Sequence, residues 1–392
     1  MAGLGLYVQI PFCASKCTFC NFSSRVAPSA VFDAYCAAVV EEAERFPMIL
    51  RGAGANENIF TRPIDTVYIG GGTPPILGVE RLGAIVASVS RTFGSIAPRE
   101  FTIEATPGSL NPDTLQALRG LRVDRLSIGA QSFADQELAS VGRLHSARDT
   151  TELVESARRA GFEHISLDLI AGLPHQTETS WQESLDTAAH LRPEHISIYI
   201  FEIDDKSRLG AEVIKHGSLV HANDVPEEAF AADAYERARE FLKAHGYRQY
   251  EISNFALPGR ESLHNLKYWQ LDPYAGLGAG AHSFDGAHRW SNVISPSEYA
   301  ANLARGETPI AEFRGISRDE LIEEYFLTGL RQADGVDLTS ATERWSASEM
   351  GRWQPVIDGL ARRGLLERRG NSVRLTDSAY IISNEVFQEF LP

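Results

Sequence analysis

Long hydrophobic runs are missing from this sequence of 392 residues, and no stretch reaches the roughly 18 apolar residues that a membrane-spanning helix needs. The opening residues, MAGLGLYVQIPFC, lack the basic segment and the small-residue cleavage site of a signal peptide. Positive charge is also scarce, with 37 Lys and Arg against 52 Asp and Glu. Nonspecific nucleic-acid binding requires basic residues that neutralise phosphates. We therefore expect a cytoplasmic protein with no nucleic-acid partner and no transmembrane segment, while peripheral membrane contact stays open.

Cysteine is scarce as well, with four residues in the chain. Four are too few to make a disulfide framework in a chain of this length. Three of them, Cys13, Cys17 and Cys20, lie within eight positions, a spacing typical of thiols that hold a metal. A structural zinc site needs four ligands, but the fourth cysteine, Cys36, lies in a helical pattern. Three thiolates fit a [4Fe–4S] cluster that leaves one iron open to a small molecule. The spacing thus favours a cluster over zinc or redox thiols.

The first half of the chain alternates short segments rich in Val, Ile and Leu with amphipathic segments, a pattern typical of βα units and a parallel sheet. The predicted strands are Leu4–Pro11, Thr66–Gly70, Glu100–Ala105, Arg125–Gly129, His164–Ile170 and His195–Ile200. The predicted helices are Ala30–Arg45, Glu80–Phe93, Asn111–Leu118, Arg148–Ala160 and Thr179–His190. This order predicts an α/β fold, a partial (β/α)6 barrel. The cysteine motif follows the first strand, where barrel enzymes place their chemistry.

The second half is predicted to form an α+β extension. Its predicted parts are an irregular segment at Asp204–Pro226, a helix at Glu227–Ala244, a strand at Tyr247–Phe255, a long loop at Gly259–Asn292 and a helix at Arg318–Arg331. Two further helices and the strands Leu365–Arg369 and Ser372–Leu375 would complete a small winged-helix-like module. We predict three regions: the barrel with its cluster at 1–205, a linker and covering region at 206–315, and the module at 316–392.

The C-x3-C-x2-C motif is the signature of the radical S-adenosylmethionine superfamily, and the chain resembles that superfamily from Tyr7 to its C-terminal module. Within the superfamily it is similar to the oxygen-independent coproporphyrinogen III oxidases and their relatives. The resemblance implies a [4Fe–4S] cluster on Cys13, Cys17 and Cys20 that binds S-adenosylmethionine. Such a cluster needs a low-potential electron, and so a low-potential electron donor is the implied partner.

The resemblance also implies which residues contact S-adenosylmethionine. Consecutive glycines after the second strand let bare backbone approach the amino group of the ligand, while polar side chains at the ends of later strands suit ribose hydroxyls and a carboxylate. Two aromatic residues match positions that line the cofactor. The expected contacts are Tyr7, Phe19, Gly71, Gly72, Thr73, Glu104, Gln131, Arg143 and Asp168. No residue is assigned a catalytic role.

Two departures separate the sequence from the decarboxylating oxidases. The oxidases carry a fourth cysteine two residues beyond the third, but here Cys20 is followed by Asn21 and Phe22. Only twelve residues precede Cys13, too few for the N-terminal extension that covers the oxidase site. Both features resemble the HemW branch of the family, whose members are haem chaperones. That resemblance implies that the protein binds haem and transfers it to haem-requiring apoproteins.

The segment His264-Asn265-Leu266-Lys267-Tyr268-Trp269 matches the HN-x-x-YW segment associated with haem binding in that branch. An imidazole beside aromatic faces supplies the axial nitrogen and the flat apolar walls that a porphyrin needs. We expect His264 to be the axial or orienting ligand of haem, with His282 as a second candidate, and residues 206–315 to cover it. The alternatives are a coproporphyrinogen III oxidase, which would make protoporphyrinogen IX, and a radical enzyme of another class such as a methyltransferase. Cys36 is the one spare thiol for the latter.

Replacement of Cys13, Cys17 or Cys20 by Ser should remove the iron–sulfur cluster, because each thiolate is expected to hold one iron. Cys36→Ser is the matched control and should retain the cluster. Iron and sulfide analysis after anaerobic reconstitution measures this. If Cys36→Ser loses iron as completely as the other variants, the three-cysteine site is the wrong assignment.

Overall fold

The computed structural model describes residues 3–56, 59, 62–94 and 98–391, so the outer ends of the predicted regions, at residues 1 and 392, lie outside the described residues. The strands are β1 Leu4–Ile10, β2 Phe12–Cys13, β3 Arg25–Val26, β4 Ile64–Gly71, β5 Glu100–Ala105, β6 Arg125–Gln131, β7 His164–Ala171, β8 His195–Ile200, β9 Arg248–Gln249, β10 Asn254–Ala256, β11 Tyr274–Leu277, β12 His282–Phe284, β13 His288–Asn292, β14 Ile310–Gly315, β15 Val336–Asp337, β16 Leu366–Arg369 and β17 Ser372–Leu375. The helices are α1 Ala30–Ala53, α2 Val79–Phe93, α3 Pro112–Gly120, α4 Asp135–Ser140, α5 Ala147–Arg159, α6 Glu178–His190, α7 Arg208–Ile214, α8 Glu228–Ala244, α9 Leu263–Trp269, α10 Pro296–Ala304, α11 Arg318–Arg331, α12 Leu338–Arg344, α13 Ala347–Gly351, α14 Gln354–Arg362 and α15 Ser383–Gln388.

A twelve-stranded sheet in the order β14-β13-β12-β11-β1-β4-β5-β6-β7-β8-β10-β9 forms the centre of the fold. Strands β1 and β4 to β8 run parallel to one another, as predicted, and helices connect them. Strand β11 adds a further parallel partner on the other side of β1. The partial (β/α)6 barrel is therefore confirmed, and its carboxyl ends lie together at one end of the sheet. None of the described helices is both long and apolar enough to cross a bilayer.

Two helices of the barrel, α5 and α6, begin at capping boxes that the sequence supplies. The Ser146 side chain accepts from the backbone N–H of Asp149, whose carboxylate bonds back to Ser146, and the same reciprocal arrangement of Thr177 and Ser180 opens α6. Such capping boxes satisfy helix N–H groups that would otherwise lack a partner. They also fix where the loops that lead into α5 and α6 end, and the first of these loops carries Arg143 to the site described below.

Three predictions for the region after β8 were wrong. The segment Asp204–Pro226, expected to be irregular, contains α7 and a 3₁₀ turn at Leu219–Asp224. The predicted strand Tyr247–Phe255 is divided into β9 and β10, which pair antiparallel. The expected loop Gly259–Asn292 contains α9, β11, β12 and β13. These elements are too short to show a helical or strand periodicity, and their Gly and His content conceals them.

The C-terminal module has the order of a winged helix. Helix α11 is followed by β15, by α12 to α14, and by the hairpin of β16 and β17, and the three strands form the sheet β15-β17-β16. The expected helix Arg318–Arg331 and the hairpin are confirmed, while three helices stand where two were expected. Phe326 and Phe390 stack at 4.7 Å between ring centroids and join α11 to the end of the chain.

A buried carboxylate joins the first helix to the second half of the chain. Glu42 is 1% exposed, and it accepts hydrogen bonds from Gly278 N (2.8 Å), Asn292 Nδ2 (2.6 Å) and the Tyr299 hydroxyl. Burial raises the pKa of Glu42 from its ordinary value of 4.5 to about 7. The folded protein therefore binds this proton more tightly than the unfolded chain does.

The stability that the protonated Glu42 provides should be complete below pH 4.5 and should disappear as the pH rises through about 7. Glu42→Gln cannot ionise, so the difference in unfolding free energy, wild type minus variant, should fall by up to about 3 kcal/mol over that window. Urea denaturation at several pH values measures it. Glu41→Gln, which removes an exposed carboxylate from the same helix, is the control. A difference for Glu42→Gln that stays constant with pH would contradict the assignment.

Candidate functional site

The cysteine loop, residues 13–20, lies at the carboxyl end of β1 and is closed at its base by a short parallel pairing. Strand β2 pairs with β3 so that Phe12 faces Arg25 and Cys13 faces Val26. The Lys16 ammonium donates to the carbonyl of Phe22 at 2.6 Å and to that of Ser24 at 3.1 Å. A loop without regular structure is costly to order, so these contacts hold the three thiols at one place.

The glycine run after β4 packs directly against the cysteine loop. The Gly72 N–H donates to the Ile10 carbonyl at 2.8 Å, and the Thr73 N–H donates to the Phe12 carbonyl at 2.7 Å. A Cβ atom on Gly72 would lie 2.3 Å from the Phe12 carbonyl oxygen and 2.9 Å from Cys13 Sγ. Only glycine fits at this position, and the close approach sets the distance between the thiols and the end of β4.

A single cavity of about 800 Å³ lies between the cysteine loop and the carboxyl ends of the strands. Nearly all the predicted cofactor contacts line it. They are Cys13, Cys17, Phe19, Cys20, Gly71, Gly72, Thr73, Glu104, Gln131, Arg143 and Asp168. The structure thus brings together side chains that span 156 positions of the sequence, from 13 to 168.

The donor set at the cysteine loop fits a cluster. Cys13, Cys17 and Cys20 are free and partly exposed, whereas Cys36 is buried on α1, where burial raises the pKa of its thiol to about 11. A structural zinc ion takes four protein ligands, but the fourth cysteine, Cys36, does not line the cavity. Three thiolates suit a [4Fe–4S] cluster, in which each thiolate holds a different iron and the fourth iron stays open.

Two carboxylates stand in the cavity wall with polar partners. Glu104 accepts from the Gly71 N–H at 2.7 Å and from the Tyr68 hydroxyl at 2.9 Å, and burial raises the pKa of Glu104 to about 7. Asp168 accepts from the Ser197 hydroxyl at 2.8 Å, and burial raises its pKa too. Both groups keep acceptor capacity for a ligand, because a carboxylate has about four lone-pair sites.

Gln131 and Arg143 reach the cavity through local distortions of the chain. The register of β6 against β7 shifts between Ile128 and Gln131, and Gln131 has a φ of 67°. Such bulges re-aim side chains next to active sites. Arg143 donates to the Gly129 carbonyl, and its Nη1 lies 3.6 Å from Cys17 Sγ. Its guanidinium therefore connects the end of β6 to the cysteine loop.

Several cavity residues were missed at the sequence level although the strands contain a signal for them. The parallel strands alternate apolar residues with polar ones, and polar residues face one another across the sheet, as Thr102 faces Arg125 and Glu104 faces Ser127. Strands of a parallel sheet are usually apolar on both faces, so this alternation indicates a polar interior. The missed cavity residues are Tyr68, Arg125, Ser127, His195, Ser197 and Tyr199.

The HNLKYW segment forms α9 at the amino ends of the strands, opposite the cysteine loop. Glu100, at the start of β5, accepts from the backbone N–H groups of Leu263 (2.8 Å) and His264 (3.1 Å). Lys267 is buried and forms a salt bridge with Asp65 at 2.8 Å. Asn265 of the same helix lines the cavity. Helix α9 therefore closes the bottom of the barrel and contributes to the cavity floor.

Tyr7 and His264 are not brought into the cavity wall. Tyr7 stacks on Tyr68 at 5.9 Å between ring centroids, one layer behind the cavity. His264 is 1% exposed, and its ring nitrogens lie 2.9 Å from Thr66 Oγ1 and 2.9 Å from the Tyr268 hydroxyl. Burial lowers the pKa of His264 to about 3, so the imidazole is neutral. His282, the second haem candidate, is exposed on β12. The expected roles of Tyr7, His264 and His282 stay predictions.

Two protein-family models match the chain. The model of the radical SAM superfamily matches residues 7–188, which include the end of β1 from Tyr7, the cysteine loop and strands β2 to β7. The model of the HemN C-terminal domain matches residues 316–382, which include α11 and the hairpin of β16 and β17.

Known relatives match nearly the whole chain. The chain is 36% identical over 386 residues to the haem chaperone HemW of Bacillus subtilis (strain 168), with 98% of each chain covered. It is 32% identical over 389 residues to HemW of Mycobacterium tuberculosis (strain ATCC 25618 / H37Rv), covering 99% of this chain and 94% of the relative. Among solved structures, coproporphyrinogen III oxidase HemN from Escherichia coli matches with a TM-score of 0.84 at 23% identity, covering 99% of this chain and 90% of that one. At this identity the structural match shows the fold alone.

Proposed function

Because the chain belongs to the HemW family of radical S-adenosylmethionine proteins, we propose that it is a haem chaperone, which binds haem and transfers it to proteins that require it. The observation that carries this proposal is the similarity to HemW proteins over essentially the full length of the chain. The alternative is an oxygen-independent coproporphyrinogen III oxidase that decarboxylates its substrate to protoporphyrinogen IX.

The rim of the cavity supports the haem assignment. Phe22 occupies the position at which the oxidases carry a further cysteine, and 68% of it is exposed. Leu144 and Tyr199, which line the same cavity, are 78% and 43% exposed. Large exposed apolar side chains grouped at one place mark binding sites. An apoprotein that accepts haem would cover these three side chains, while haem itself would bind at α9 on the opposite side of the barrel.

The side of the cavity that the cysteine loop lines would hold the cofactors that the family implies. When bound, the cluster supplies a low-potential electron to S-adenosylmethionine. Cys13, Cys17 and Cys20 would hold it, and the amino group of the nucleotide would lie against the Gly71–Thr73 backbone and Glu104. A bound ammonium would lower the pKa of Glu104 from about 7 and keep the carboxylate ionised.

The remaining predicted contacts divide by chemistry. Arg143 would form a bidentate pair with the carboxylate of the methionyl group, because a guanidinium matches that geometry. Asp168 and Gln131 would accept and donate at the ribose hydroxyls. Phe19 would cover an apolar part of the nucleotide, and Tyr7 would act through Tyr68, on which it stacks.

Haem binding at His264 would require a rearrangement. Its Nε2 can coordinate iron only if the contact with the Tyr268 hydroxyl at 2.9 Å opens. The imidazole is already neutral, and Nε2 offers its lone pair to iron in the tautomer that carries the proton on Nδ1. We propose that Tyr268 holds His264 in the haem-free state and that an entering haem displaces it. His282 would be the exposed alternative.

The proposal also extends to partners and location. Haem-accepting apoproteins would receive the haem, and a low-potential donor would reduce the cluster. We propose a cytoplasmic location, because cluster thiolates persist in a reducing compartment, and no nucleic-acid partner, because the net charge is −15. Peripheral membrane contact is compatible with transfer to membrane-bound acceptors.

Arg143→Ala should weaken S-adenosylmethionine binding by roughly one to two decades, since it removes a charge-assisted contact of about 1.5–3 kcal/mol. Anaerobic calorimetric titration of the cluster-loaded protein measures the affinity, and iron analysis shows whether the cluster survives. Arg148→Ala is the control, because that side chain is 85% exposed and pairs with Glu152 outside the cavity. Unchanged affinity in Arg143→Ala, with iron content also unchanged, would remove Arg143 from the nucleotide site.

The chaperone and oxidase assignments predict different results with one preparation of cluster-loaded protein. We expect haem binding in optical titrations and no conversion of coproporphyrinogen III when S-adenosylmethionine and a reductant are supplied anaerobically. His264→Ala should weaken haem binding, whereas Tyr268→Phe should strengthen it because Nε2 loses its competing partner. His282→Ala tests the other imidazole.

Mass spectrometry of the tetrapyrrole completes this test. Formation of protoporphyrinogen IX would establish the oxidase, and the absence of haem binding would reject the chaperone. If Tyr268→Phe and His264→Ala bind haem as wild type does while His282→Ala does not, the axial ligand is His282.

A further inference from the structure

A second cluster of metal-ligating side chains lies outside the cavity, between the loop after β7 and the 3₁₀ turn Leu219–Asp224. His175 Nε2 lies 3.3 Å from His221 Nδ1, and each of these nitrogens faces the same oxygen of Asp224. The distances to Asp224 Oδ2 are 3.5 Å from His175 and 3.2 Å from His221. Among the described residues, this is the one group of three His, Cys, Asp or Glu side chains whose ligand atoms all lie within 4.8 Å of one another.

These distances match the face of a metal coordination sphere. Zinc binds imidazole nitrogen and carboxylate oxygen at about 2.0–2.2 Å in a tetrahedron, and the ligand atoms of such a tetrahedron lie about 3.3–3.5 Å apart. The three measured edges of 3.2, 3.3 and 3.5 Å agree with that value. Two imidazoles with one carboxylate are also a known donor set for divalent transition metals.

We propose that His175, His221 and Asp224 bind a divalent transition-metal ion of the zinc class. The site is open on one side, because the side chains of His221 and Asp224 are 49% and 41% exposed. Water or a further ligand would complete the coordination sphere there. No cysteine takes part, so this site is separate from the cluster.

The backbone around the three ligands is already arranged for this role. The His175 N–H donates to the Asp224 carbonyl at 2.8 Å, which joins the two segments next to their ligands. His175 and His221 have φ values of 66° and 62°, and the intervening turn also places Val220 at 51°. Left-handed conformations are uncommon for residues other than glycine, and especially so for a β-branched one. Here they turn both imidazoles toward Asp224.

A metal at this position would restrain the segment from α7 to the 3₁₀ turn, residues 208–224, which packs on the cysteine loop and is called the cover below. Residues of α7 and of the 3₁₀ turn pack with Val141, Ile170 and Leu173 in a hydrophobic cluster that also contacts Phe19. The Leu209 N–H of α7 donates to the Thr18 carbonyl at 2.8 Å. The metal would therefore restrain the segment that holds the outer side of the cysteine loop.

Zinc binding tests the site. The cluster-loaded protein is used, because Cys13, Cys17 and Cys20 without their cluster would also bind zinc. Equilibrium dialysis with elemental analysis should find about one zinc per chain in the wild type. His175→Gln and His221→Gln should bind zinc at least about tenfold more weakly, whereas His190→Gln, an exposed histidine at the end of α6, should bind as the wild type does. Mg²⁺ should not compete, because it prefers oxygen ligands.

Hydrogen exchange followed by mass spectrometry supplies a second readout. Zinc should slow exchange in residues 219–226 and at the His175 amide of the wild type, and it should have no such effect in His221→Gln. A wild type that binds no zinc at the site, or variants that bind it equally well, would overturn the metal site. If zinc binds but does not slow hydrogen exchange in residues 219–226, the proposal that the metal restrains the cover is wrong. Haem binding is measured separately, so none of these outcomes bears on the chaperone assignment.

Discussion

The contact between the glycine run and the cysteine loop is the constraint on which the candidate site depends. Two backbone hydrogen bonds, from Gly72 to Ile10 and from Thr73 to Phe12, align the end of β4 with the chain that leads into Cys13. The missing side chain of Gly72 provides the space, because any Cβ there would meet a carbonyl and a thiol. The loop that would hold the cluster and the backbone that would receive the nucleotide are thus parts of one rigid junction.

The interior of the barrel depends on hydrogen bonds between buried polar side chains. A sheet interior lined by Glu100, Arg125 and His195 is stable only if each polar group finds a partner. Both ring nitrogens of His195 have one, the Ser166 hydroxyl at 2.7 Å and the Tyr250 hydroxyl at 2.8 Å. Glu100 receives the first N–H groups of α9 in the same way. The interior of the barrel is therefore lined by paired polar side chains and closed at its amino end by α9. The cavity lies between this polar interior and the cysteine loop.

The sequence allowed the barrel strands and the group of cavity residues to be predicted, because strand ends in a parallel sheet meet at one edge. It did not reveal β11 to β13, whose three to five residues are too short for a periodicity, and it predicted β9 and β10 as one strand, Tyr247–Phe255. The alternation of polar and apolar residues in β6, from Arg125 to Gln131, also indicates the polar interior. The neighbours of His264 could not be foreseen, since Thr66 lies 198 positions away. The same holds for His175 and His221, which lie 46 positions apart and meet only through the fold.

The position of β1 between β4 and β11 has a consequence for the synthesis of the protein. Strand β11 begins at Tyr274, about 200 residues after the end of β4 at Gly71. At about 5–20 residues per second on the ribosome, one edge of β1 waits on the order of tens of seconds for its partner. Unpaired strand edges pair readily with other chains. Until translation reaches β11, the nascent chain therefore exposes an edge of β1 that is open to pairing with another chain.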